Sequence, residues 1–262
     1  RGTLESTMSA AEKGSAPTVA QIYEIGTASA LDSGAFTSVE SVLPQDVSLN
    51  NYVDPVLSYY RTSGTLNSMP FNSSVPVLCY NKEAFQQAGL DPNTPPTTFA
   101  KVREAAQQLV DNAASEYGIT FANYSWFVEQ WFATAGQEIV NNRNGRTGTP
   151  DEAFFDSEAA REIYDWWTTL EDAGLYHNPG MEARGKAKNA FYDGTASMVI
   201  ASSSSLGSIT EEAPFDVGVS GLPTPGQSQG LIVGGASLWV SESATQQQQA
   251  AAGEFLAWLT QP

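Results

Sequence analysis

The chain has 262 residues, 41% of them hydrophobic and 11% aromatic, which is globular composition with enough length to bury a real core. Twelve basic residues against 29 acidic ones leave a net charge of −17, which argues against a nucleic-acid surface. An anionic ligand would be repelled at long range and would have to be captured by local donors. No apolar run reaches the ~18 residues that a membrane-spanning helix needs.

The spacing of Leu4, Met8 and Ala11 predicts a helix over residues 4–13, stopped by Gly14. Residues 17–25 (PTVAQIYEI) alternate as a strand, and Gly26-Thr27 opens a short helix through Leu31. Glu24 lies inside or just after that strand, where a plain strand carboxylate would face solvent. Residues 36–64 read as a surface passage in which Val53, Leu57 and Tyr59 form one short helical face. Residues 69–74 (MPFNSS) read as a loop, because Pro70 lacks a ladder donor and Asn72, Ser73 and Ser74 favour turns. Val75, Val77 and Leu78 then make a strand buried on both sides, and Asn81 caps a helix that Gly89 stops. A hydroxyl-bearing loop feeding a buried strand is where α/β proteins place ligands, although the serines could equally be ordinary turn residues.

Thr98 caps a helix over residues 99–112 whose Phe99, Val102, Ala105, Ala106 and Leu109 face inward. After a short strand at 118–121, Asn123 or Ser125 is expected to cap a helix bearing Trp126 and Trp131, as core anchors or as an aromatic wall. Residues 141–148 (NNRNGRTG) are a turn cluster, and Ser157 caps a helix over 159–173. Lys186–Tyr192 leads through Asp193-Gly194 to a strand at 196–201, four serines (Ser202 to Ser205) and a helix at 206–211. Hydroxyls and amides at such a strand end tolerate an anion, or the serines form a solvated loop. A strand at 215–222 precedes another at 231–240. The second is interrupted by Gly234-Gly235, a mark of close backbone approach, and a helix follows at 246–259.

No catalytic constellation is present. The one cysteine, Cys79, has no disulfide or metal partner and reads as a structural thiol. The one histidine, His177, lies in a turn-like HNPG and reads as a surface residue. There is no Ser-His-Asp arrangement, nucleophile elbow or phosphate loop. Glu24 and Glu129 would suit glycoside hydrolysis only at the right separation, which spacing does not set. Glu24, Ser74, Ser202 and Gly235 are thus hydrogen-bonding groups at separate strand ends, as a binding site requires.

Residues Pro70 to Pro92, with Pro95-Pro96-Thr97-Thr98, follow the pattern P-F-N-S-S-x-P-V-L-Y-Y-N-K-x-x-F-x-x-A-G-L-D-P, with Cys79 in place of the first Tyr. In this the chain resembles the extracellular solute-binding proteins of ABC importers, in the class that includes maltose- and glycerol-3-phosphate-binding proteins. IYEIGT (22–27), Phe191 to Leu206 and the I-x-G-G-A-S-L-W-V of Ile232–Val240 are similar to the glycerol-3-phosphate-binding branch.

The resemblance implies an α/β, two-lobed periplasmic-binding-protein-like fold with domain-crossing strands and a closing hinge, truncated here at both ends and without its signal sequence. Residues 1–75 would belong to the first lobe and 76–200 mostly to the second, with crossings near 70–80 and 196–202. Residues 203–262 would return to the first lobe and hinge. It implies an extracytoplasmic, monomeric receptor, not an enzyme, that passes glycerol-3-phosphate or a glycerophosphodiester to permease subunits. Nucleic acid, metal and cofactor have no part in this. Ser74, Ser202 and the Gly235 amide would hold the phosphate, and Glu24 would take the glycerol hydroxyls. Trp126 would be the apolar wall, with a one-residue shift; the branch has two Trp three apart where this chain has Asn123 and Trp126. An Arg and a Tyr of the branch lie beyond Pro262. The alternatives are an oligosaccharide receptor stacking sugars on Trp126 and Trp131, or a secreted glycoside-processing enzyme.

Overall fold

The computed structural model describes residues 2–261. They divide into two compact units, one formed by the chain up to Ser74 together with everything from Val233 onward, the other by Val75–Ile232.

The first unit opens with helix α1 (Gly2–Glu12), strand β1 (Val19–Tyr23) and helix α2 (Thr27–Asp32), close to the expected bounds. Strand β2 (Phe36–Thr37), helix α3 (Asp54–Tyr59) and the hairpin β3 (Arg61–Thr62) with β4 (Thr65–Leu66) follow. Val53 is exposed, contrary to the expected helical face, while Leu57 and Tyr59 pack against the core. The turn-prone 69–74 segment is strand β5 (Met69–Ser74), not a loop. Its partner strand lies beyond the whole second unit in sequence, so local propensity could not supply the reason.

The second unit begins with strand β6 (Pro76–Asn81) and helix α4 (Lys82–Gln87), capped as expected by Asn81, which accepts from the amides of Glu83 and Ala84. Next come α5 (Phe99–Asp111), capped by Thr98, strand β7 (Tyr117–Thr120) and α6 (Ser125–Thr134). A single left-handed turn, α7 (Asn141–Gly145), precedes α8 (Glu158–Asp172), which Ser157 caps. Strand β8 (Tyr176–His177), α9 (Arg184–Tyr192), β9 (Ala196–Ser202), α10 (Leu206–Glu212) and β10 (Val217–Gly221) complete it. His177 is half-buried on a strand rather than on the surface: Thr120 Oγ1 lies 3.2 Å from its Nδ1 and the Tyr117 ring meets it edge-on.

The second unit's sheet runs in the order β10-β6-β9-β7-β8. β6 is antiparallel to both of its neighbours, whereas β7 is parallel to β8 and β9. Alternation along the central strands fills both faces. Leu78, Tyr80, Met198 and Ile200 join the aromatic core under α4, α5, α6 and α8, while Val77, Cys79, Val199 and Ala201 join Ala187, Phe191 and Ile209 on the other side. The chain re-enters the first unit at Val233. That crossing differs from the one expected at 196–202, because β9 is an interior strand here and residues 203–232 stay with this unit.

In the first unit β11 (Gly234–Ser241) pairs antiparallel with β1, β2 and β5, and α11 (Gln246–Leu259), closed by a Thr245–Gln248 capping box, follows. Leu238 and Val240 face one cluster with Leu256, and Trp239 faces another with Ile22 and Ala30. The strand starts at Gly234, so the glycine pair opens it rather than interrupting it.

Two outcomes follow from this packing. Gly118 lies so close to the backbone of Ala106 on α5 that an added Cβ would overlap it, so Gly118→Ala should destabilise the second unit by about 1–3 kcal/mol, read as a lowered urea midpoint. Burial in β6 pushes the Cys79 thiol up to about 12. At pH 8 the folded protein should therefore resist thiol labelling that the urea-unfolded chain undergoes readily. Above pH 9 only the unfolded chain ionises this thiol, so its contribution to stability falls as pH rises.

Candidate functional site

Three of the sequence candidates come together in the first unit. Glu24 does not sit on the strand or face solvent; it follows β1 in a short 3-10 turn, Glu24–Gly26, and is 9% exposed. Its Oε2 accepts the Gly235 N–H at 3.1 Å. Ser74, half-buried at the end of β5, pairs with Gly234 across the ladder. The Gly235 amide, expected to point at a ligand anion, therefore already holds the Glu24 carboxylate. A carboxylate fixed in this way keeps accepting capacity on its remaining lone pairs, so Gly235 acts first by orienting Glu24.

Gly235 is required at this position for two reasons. Its φ of +135° is a backbone conformation that side chains disfavour, and a Cβ would collide with the Asn72 carbonyl. Asn72 completes the arrangement, its Oδ1 accepting the Ala236 N–H at 2.8 Å beside an irregularity in the β5–β11 register. Local sequence marks Asn72 only as a turn former, because the amide it accepts from lies 164 residues away. Beneath the turn, Tyr59 donates from its hydroxyl to the Glu24 carbonyl at 3.3 Å. Tyr60 is fully buried with an unpartnered hydroxyl. Burial first, then the charge of Glu24, push that phenol well above its ordinary pKa.

Ser202 and Trp126 belong to the second unit, at the carboxyl ends of its parallel strands, the edge where α/β sheets hold ligands. The Ser202 hydroxyl accepts the Ser204 N–H at 3.3 Å and lies 2.9 Å from the Ser204 hydroxyl. Ser203 ties the edge to β6: its amide donates to Val75 O at 2.8 Å and its hydroxyl accepts from Val75 N at 3.1 Å. These bonds extend the ladder past Pro76, which has no amide proton. Neither Asn123 nor Ser125 caps α6. Tyr124 is the N-cap without a side-chain bond, and the Asn123 Oδ1 accepts the Tyr176 hydroxyl at 2.8 Å. Trp126 is 9% exposed and packs with Tyr124 and Phe127; Trp131 is fully buried, its Nε1 donating to Pro223 O at 3.1 Å. Among the described residues no group of His, Cys, Asp and Glu is arranged to hold a metal.

Each of the two α/β units thus carries polar groups at its strand ends. The chain belongs to the bacterial extracellular solute-binding protein family, matched over residues 2–262. It is 35% identical over 271 residues to the sn-glycerol-3-phosphate-binding periplasmic protein UgpB of Yersinia enterocolitica, an alignment covering 99% of this chain and 61% of the relative. The chain thus spans about three-fifths of the length of that relative. Its fold is shared with UgpB from Mycobacterium tuberculosis, solved in complex with glycerophosphocholine (TM-score 0.82, 23% identity, 98% of this chain and 65% of that one). The cyclic α-maltosyl-1,6-maltose binding protein of Arthrobacter globiformis has the same fold (TM-score 0.78, 23% identity, 99% and 65%).

Gly235→Ala should displace β5 from β11 and release Glu24. We expect at least a tenfold loss of ligand affinity in the full-length protein by calorimetry, a loss of the size that removing a buried polar contact produces. Unchanged affinity would show that the Glu24–Gly235 bond does not shape the site.

Proposed function

We propose that this chain is the ligand-binding part of an ABC-importer receptor that captures glycerol-3-phosphate or a glycerophosphodiester outside the cytoplasm and delivers it, as a monomer, to membrane permease subunits. The observation that carries the reading is the Glu24 carboxylate held on the Gly235 amide beside Ser74. A fixed, nearly buried acid suits the vicinal hydroxyls of a glycerol, because it accepts charge-assisted, directional hydrogen bonds. The 35% identity to a glycerol-3-phosphate-binding relative supports the same ligand class. In this scheme Glu24 takes the hydroxyl end and Gly235 positions it, while Ser74 in the first unit and Ser202 in the second each offer a hydroxyl suited to a phosphate oxygen. Trp126 contributes an apolar boundary through the small part of its ring left exposed. No helix among the described residues is long and apolar enough to cross a membrane.

An oligosaccharide receptor is the second reading, favoured by the shared fold of a maltosyl-maltose binder. It would need stacking platforms, and the burial of Trp131 and most of Trp126 removes the two expected ones. A glycoside-processing enzyme would release product where a receptor only binds, and turnover assays on glycosides and glycerophosphodiesters separate the two.

In the full-length protein Glu24→Ala and Ser202→Ala should each weaken glycerol-3-phosphate binding by roughly 1–3 kcal/mol, measured by titration calorimetry. Unchanged affinity in both variants would sink the assignment.

A further inference from the structure

The carboxyl ends of β7, β8 and β9 bring one more group to the second unit's ligand edge. The loop after β7 ends at Tyr124 and the loop after β8 runs into Arg184 at the start of α9. The two loops are tied together: Asn123 N donates to Gly180 O at 3.2 Å, and Glu182 N donates to Asn123 O at 3.1 Å. So placed, the Arg184 guanidinium carbon lies 4.9 Å from the centroid of the Tyr124 ring. Among the described residues no carboxylate lies within ion-pair distance of it. With Trp126 nearly buried, the half-exposed ring of Tyr124 is the aromatic surface beside it, and a cation already covers it.

The chemistry of that pair is selective. A quaternary ammonium binds to proteins by lying on exposed aromatic faces. Here Arg184 both occupies the face and repels a second cation, while its planar fork suits phosphate or carboxylate oxygens. In a chain of net charge −17, such a local donor is what an anionic ligand needs.

We propose that Arg184, held on Tyr124, is a specificity-determining residue that makes this edge accept an anionic or uncharged head group and reject a quaternary ammonium. The inference rests on the reading of the protein as a receptor for glycerol phosphates.

The test is calorimetric titration of the full-length protein with glycerol-3-phosphate and with glycerophosphocholine. The wild type should prefer glycerol-3-phosphate. Arg184→Gln should narrow that preference by about fivefold to tenfold, the size expected of a partly screened charge contact, and Arg184→Lys should keep most of it. A wild type that favours glycerophosphocholine, or an Arg184→Gln protein with the wild-type ratio, overturns the role of Arg184 and leaves the receptor reading standing. A folded wild type that binds neither compound overturns the receptor reading and this inference with it.

Discussion

The contact between β11 and β5 at Gly235 is the constraint on which the first unit depends. The Asn72 carbonyl occupies the space a side chain would take, so the two strands can approach only through glycine. That approach turns the Gly235 amide toward Glu24, and it sets Ser74 opposite Gly234. One backbone contact therefore both completes a sheet and fixes an acid. β11 also pairs with β1 and β2, so strands from three stretches of chain meet on one late-arriving partner. Such long-range pairing makes the site depend on the fold being complete, since neither Glu24 nor Ser74 has its arrangement until residues 234–241 are in place.

The second unit gathers its polar strand ends by a different route. Helices cover both faces of its sheet, so polar side chains are driven to strand ends, and the parallel run of β7, β8 and β9 collects three such ends on one side. The serines after β9 are not a loose loop: Ser203 is bonded to Val75 through both its amide and its hydroxyl, and Ser202 closes on Ser204. The aromatic residues divide their work. Trp131 and Trp166 are structural, each donating its ring N–H to a backbone carbonyl, whereas Tyr124 stays half-exposed under Arg184.

A chain this acidic offers no long-range attraction to an anion, so an anionic ligand would have to be held by short-range donors. Glu24 on the Gly235 amide is an internal instance of the same logic: the strand end that suits an oxyanion is held by the protein's own carboxylate.

Local signals in the sequence determined the helices and their caps. Asn81, Thr98 and Ser157 each accept the amides that their positions imply, because capping depends on residues two or three apart. They also determined the doubly buried strand around Val77 and Leu78, the family pattern and the strand-end place of Ser202. Tertiary structure decided what depends on distant partners. MPFNSS is a strand because β11 pairs with it, although its residues favour turns. Asn123 serves Tyr176 rather than a helix end, and His177 is half-buried beside Thr120. The return to the first unit waits until Val233 because β9 has neighbours on both sides. Propensity and capping act over a few residues and can be read along the chain. Strand pairing, burial and the partner of an amide are settled between segments up to 211 residues apart, as Glu24 and Gly235 are, and only the folded chain brings those together.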